Sequence, residues 1–133
     1  MAHHFRFTRL SVLSLSYVLT TIPLFTRFLD TARPTLRELN LGSVCWTSDR
    51  QFEKTERDAP AQEAVRVARL VYTYLRDFPG LRRLRARNWT YQGREVRMRE
   101  INSPDHRNVV LFDEWWAAIS LGEWIDHLQF AVK

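Results

Sequence analysis

The chain has 133 residues, of which 45% are hydrophobic, including five tryptophans and eight phenylalanines, so it has the makings of one compact domain and is too apolar to be disordered. A single cysteine, Cys45, excludes an intramolecular disulfide and a thiolate zinc cluster, and its expected role is that of a buried bystander. The net charge of +5 is uneven: residues 81–107 hold eight arginines against Glu95, Glu100 and Asp105, and residues 108–133 hold Lys133 against Asp113, Glu114, Glu123 and Asp126, which points to an anionic partner for the first block or contact between the two.

Seventeen uncharged residues run from Leu10 to Thr26. As a helix they would rise about 26 Å against a hydrocarbon thickness of roughly 30 Å. Arg9 and Arg27 can snorkel, and Phe28 and Leu29 extend the apolar character, so the length is adequate for a membrane span. The expected span residues are Leu10, Leu13, Tyr17, Ile22 and Phe25. On a helical wheel the hydroxyls of Ser11, Ser14, Ser16, Thr20, Thr21 and Thr26 scatter around the circumference, which disfavours a surface-lying helix, and Pro23 is expected to kink or end the span. No small-x-small cleavage site follows, so secretion is not expected. Residues 1–29 carry Arg6, Arg9 and Arg27, several hydroxyls and no acid, the composition of a mitochondrial presequence. A targeting segment and a core helix are the other readings of this run.

Residues 30–59 read as an irregular connector. Pro60 begins a helix along which Ala64, Val67, Ala68, Val71, Leu75 and Phe78 recur at three and four residues until Pro79-Gly80 ends it. In "LRRLRARNWTYQGREVRMREI" the period changes to two around Gln92-Gly93, which predicts a hairpin, and "NVVLF" supplies a third strand. Asp113 then caps a terminal helix of about eighteen residues. One face of that helix, with Trp124 and Leu128, is the core side. The opposite face, with Trp115, Trp116, Ile119 and Phe130, is expected to meet a partner. The fold class expected is α+β, with an N-terminal transmembrane helix (1–29) and a small helix, hairpin and C-terminal helix domain (60–133).

The basic residues Arg83, Arg85, Arg87, Arg94, Arg97 and Arg99, with Trp89 and Tyr91 among them, form a patch for another subunit, a lipid such as cardiolipin, or RNA. Against catalysis stand the absence of HExxH or CxxC spacing around His3, His4, His106 and His127 and the wide separation of the glycines. No metal and no cofactor is expected. Glu123 and His127, four apart, make an ordinary helix-surface pair.

"VYTYLRDFP", residues 71–79, loosely resembles the opening Leu-Tyr-Arg helix of the small mitochondrial LYR proteins, with arginines following downstream. Thr73 stands where that motif has its arginine and Val71 where it has its leucine, so the likeness is confined to these nine residues. The functional expectation is a non-catalytic, single-span accessory subunit of a mitochondrial inner-membrane energy-converting complex, a respiratory complex or the ATP synthase, with other subunits and membrane lipid as partners. The alternative is an RNA-contacting mitochondrial ribosomal protein. A free assembly factor is a third reading.

Overall fold

Alternation, rather than a helical period, governs the start of the chain. In the computed structural model, which describes residues 10–47, 61–101 and 103–132, Val12–Ser16 forms strand β1, with Val12, Ser14 and Ser16 outward and Leu13 and Leu15 packed against the core. Tyr17 takes a left-handed conformation, φ 58°. A short strand, β2 (Leu19–Thr20), then leads into helix α1 (Ile22–Asp30). Thr21 caps α1, its Oγ1 accepting from the Leu24 N–H at 3.4 Å, and Pro23 lies in the first turn, where its missing N–H is no loss.

The same path is traced twice more. Strand β3 (Glu38–Gly42) is followed by Ser43 at φ 57° and β4 (Cys45–Trp46). After helix α2 (Ala61–Arg76), strand β5 (Arg83–Arg87) is followed by Asn88 at φ 53° and β6 (Thr90–Tyr91). Each coil carries one pattern, Leu-x-x-Leu-x-aliphatic-x-x-apolar: Leu10, Leu13, Leu15 and Val18, then Leu36, Leu39, Leu41 and Val44, then Leu81, Leu84, Ala86 and Trp89. The strands stack parallel and in register, Leu13 beside Leu39 beside Leu84, and Leu15 beside Leu41 beside Ala86. The short strands repeat this, with Thr20 beside Trp46 beside Tyr91.

Antiparallel strands end the stack. β7 (Arg94–Arg99) returns beside β6 through Gln92-Gly93, where both residues take positive φ, 48° and 81°, as a tight hairpin requires. β8 (Val109–Asp113) runs antiparallel to β5. After a short helix, α3 (Leu121–Asp126), β9 (Gln129–Val132) runs antiparallel to β7. The described residues thus make a mixed α+β domain with two sheets, ordered β1-β3-β5-β8 and β2-β4-β6-β7-β9, and three helices. Aromatic rings fill the space between sheets and helices. Trp46 and Trp89 stack at 4.9 Å, Tyr72 of α2 stacks on Trp89 at 5.2 Å, and Phe25 of α1 meets Trp46 edge-on at 4.9 Å.

Several expectations are corrected. The transmembrane helix is absent: Leu10–Thr26 is divided among β1, β2 and the start of α1, and no helix among the described residues is long and apolar enough to cross a membrane. Pro23 starts a helix instead of kinking one. The segment read as a connector supplies β3 and β4, while the helix start expected at Pro60 lies outside the described residues. Cys45 is exposed, not buried, because it points outward from β4 beside the buried Trp46. The eighteen-residue terminal helix is replaced by a turn, α3 and β9. The expected hairpin turns at Gln92-Gly93, but it pairs β6 with β7, while β5 belongs to the other sheet.

Trp89 joins three elements of the core, so Trp89→Ala should destabilise the fold by about 3 to 5 kcal/mol. Tyr17, at positive φ and 84% exposed, should behave in the opposite sense: Tyr17→Gly removes the left-handed penalty and should stabilise by about 0.5 to 1 kcal/mol. Urea midpoints of the two variants check both signs.

Candidate functional site

In-register stacking makes the outer face of the first sheet a grid. Across β1, β3, β5 and β8 the outward rows are Val12, Glu38, Arg83 and Asp113; then Ser14, Asn40, Arg85 and Leu111; then Ser16, Gly42, Arg87 and Val109. Apart from Gly42, these residues are exposed or half-buried.

Charge is distributed unequally along β5. Arg83 lies 3.7 Å from Asp113, and Arg82 beside it lies 3.7 Å from Glu114. Arg85 and Arg87 make no ion pair with a described carboxylate. They line a cleft of about 190 Å3 with Ser14, Ser16, Asn40, Leu41 and Gly42. At the coil's corner a chain of amides holds the turns in step: Asn108 Nδ2 donates to Asn88 Oδ1 at 3.2 Å and Asn88 Nδ2 to Ser43 Oγ at 3.4 Å.

The other end of the face is a second cleft, of about 480 Å3, between Arg37, Arg82, Arg83 and Trp115. Asp113 organises it. Its Oδ1 accepts from the Trp115 N–H at 3.0 Å and its carbonyl from the Trp116 and Ala117 N–H groups, so the turn presents Trp115 at 89% exposure and Trp116 at 69%.

The candidate residues from the sequence are dispersed by this geometry. Arg83, Arg85 and Arg87 share the open face, whereas Arg94, Arg97 and Arg99 lie on β7 in the other sheet, where Arg97 approaches Glu95 at 3.4 Å and Arg99 donates to Gln129. Trp89 and Tyr91, offered as stacking rings, are buried. Trp115 and Trp116 are exposed and Ile119 borders a cleft with Trp116. Phe130 belongs elsewhere: it packs on Tyr72, centroids 5.7 Å apart, beneath the Arg69 guanidinium. Of the residues assigned to the span, Phe25 is buried, Leu10, Leu13 and Ile22 are packed against the core, and Tyr17 is exposed. Ser14, Ser16, Asn40 and Gly42 were not picked out by the sequence; the signal that finds them is the coil pattern recurring at Leu10, Leu36 and Leu81.

Among the described residues no three His, Cys, Asp or Glu side chains stand close enough to hold a metal ion. Two phenols are perturbed. Burial, with the Glu100 charge second, pushes Tyr72 above its ordinary range, and burial, with the hydrogen bond to Asp30 second, does the same to Tyr74. Both therefore remain protonated and serve as donors, Tyr72 to Met98 Sδ at 2.9 Å and Tyr74 to Asp30 Oδ1 at 2.6 Å. No family model, no curated protein and no solved structure matches the chain.

Asp113 has two roles that substitution separates. Asp113→Asn keeps an oxygen for the Trp115 N–H and loses only a loose ion pair, so it should cost no more than about 0.5 kcal/mol. Asp113→Ala loses the acceptor too and should cost about 1 to 1.5 kcal/mol. Chemical denaturation of the pair checks the ordering, and equal losses would show that the turn does not depend on this bond.

Proposed function

We propose that the protein is a non-catalytic binding module whose open β1-β3-β5-β8 face takes an acidic, extended segment of a protein partner. The observation that carries this reading is the imbalance on β5: Arg83 is neutralised by Asp113, while Arg85 and Arg87 are exposed and without a described carboxylate. A carboxylate from outside would complete a charge-assisted contact that the chain does not supply itself. The coil pattern resembles that of leucine-rich repeats, and stacked coils of that kind offer extended surfaces for other chains. Trp115, at the far end of the same face, supplies the exposed ring that interfaces commonly use as an anchor.

The reading keeps the partner-binding half of the accessory-subunit expectation and leaves out the membrane anchor. RNA is the less favoured partner. Nucleotide binding without duplex structure relies on rings beside the cations, and the cleft at Arg85 and Arg87 has no aromatic lining.

Selection of a random peptide display library on the protein should return sequences rich in Asp and Glu, with affinities that fall as salt rises. Arg85→Glu with Arg87→Glu should abolish the selection without lowering the urea midpoint. Trp115→Ala should weaken the selected peptides by about 2 kcal/mol. Selected peptides lacking acids, or unaffected by the charge reversal, would sink the assignment.

A further inference from the structure

Three strands bring donors together over a glycine at the Ser16 end of the open face. Ser14 and Ser16 come from β1, Asn40 and Gly42 from β3, and Arg85 and Arg87 from β5. Gly42 is what allows them to meet. A Cβ at this position would stand 3.1 Å from Arg87 Nε and 3.2 Å from Ser16 Oγ, so any side chain would crowd both and force one of them to shift. Gly42 does not take a positive φ; the site needs its lack of a side chain, not its backbone freedom.

The hydrogen bonds inside the cradle leave donors facing outward. Asn40 Nδ2 donates to Ser14 Oγ at 3.1 Å, which occupies a lone pair of that hydroxyl and leaves its proton for another acceptor. Both guanidinium groups carry N–H forks without a described carboxylate to fill them. No acidic side chain lines the cleft. A carboxylate presents two oxygens in one plane, which a single guanidinium fork already satisfies. A phosphoryl group presents three oxygens on a tetrahedron with a charge between −1.5 and −2, roughly, at neutral pH. Donors that approach from three adjacent strands suit the second shape.

We propose that this cradle binds the phosphoryl group of a phosphoserine or phosphothreonine in the partner's segment. The proposal rests on the acidic-partner reading above and narrows it. Arg85 and Arg87 neutralise the charge, Ser14 and Ser16 donate their hydroxyl protons, and Gly42 leaves room for the oxygens.

The test uses the full chain and a peptide display library selected as above, from which one acidic sequence with a serine is synthesised in three forms: with phosphoserine, with serine and with glutamate. The phosphoserine form should bind at least about tenfold tighter than the glutamate form, the worth of one or two charge-assisted hydrogen bonds. Inorganic phosphate at millimolar concentration should compete and should shift the amide resonances of Ser16, Gly42 and Arg87. Gly42→Ala, Arg85→Gln and Arg87→Gln should each remove the phosphate preference. Arg97→Gln, which removes the same charge from the other sheet, should leave it. Should Gly42→Ala fail to fold, the two exposed arginine variants still decide. Equal binding of the phosphoserine and glutamate forms would overturn the phosphoryl assignment and leave the acidic-partner reading standing. Peptide binding unchanged by Arg85→Glu with Arg87→Glu would overturn both, as would displacement of the peptide by a single-stranded RNA oligonucleotide with no effect of phosphate.

Discussion

Parallel pairing in register is the constraint from which the rest of the molecule follows. A parallel strand cannot meet its neighbour through a tight turn; the chain must cross over and come back. Here α1 and α2 make those crossings, and each return brings a leucine beside the leucine of the coil before. Because side chains alternate, a slip of one residue would turn every aliphatic of a coil outward and every serine, asparagine or arginine inward. The buried column of Leu13, Leu39 and Leu84 therefore also fixes the outer grid. Arg85 stands next to Asn40, and Asn40 next to Ser14, because the leucines behind them cannot pack in any other register.

The ends of the stack are treated differently from its middle. β8 closes the first sheet by reversing direction, and this reversal sets Asp113 opposite Arg83 and carries the chain into the turn that holds Trp115. The two ends of the open face owe their different character to that strand: one is populated by paired charges and tryptophan, the other by donors without acids. Behind the face, the stacked rings of Trp46, Trp89 and Tyr72 tie the second and third coils to α2. Aromatic residues that look from the sequence like a binding surface are in this way consumed by the core.

Helix α2 was legible because its apolar residues keep a period of three and four for four turns, with Pro79-Gly80 as a stop. The turn at Gln92-Gly93 was legible because only a few residues accept its dihedral angles. The first coil was not. Ser14 and Ser16 scatter on a helical wheel but fall on one side of a strand, and a short apolar run does not by itself choose between the two periods. The recurrence of the leucine spacing at Leu10 and Leu36 is the signal that chooses the strand. The third coil is better hidden, since Ala86 and Trp89 replace the aliphatics and α2 separates it from the second. In the terminal segment, Ser120 followed three residues later by Glu123 is a cap signal; the Ser120 Oγ accepts from the Glu123 N–H at 3.1 Å and starts α3 there, far from Asp113. The open face was only partly legible. Its arginines were visible as a basic run, but which of them share a surface depends on strand pairing that no local pattern records.

The unequal spacing of the coils bears on how the chain tolerates change in length. The second coil begins 26 residues after the first and the third begins 45 residues after the second. Loop-closure entropy grows only with the logarithm of length, so the longer excursion costs about half a kcal/mol more than the shorter. Register is set by the aliphatic column and not by the distance travelled between coils. The distance travelled between coils is therefore cheap to change, while a single insertion within Glu38–Gly42 would turn the β3 residues after it to the opposite face of the sheet. Lineages of this chain would be expected to drift in length at the crossover and to hold it constant in the strands.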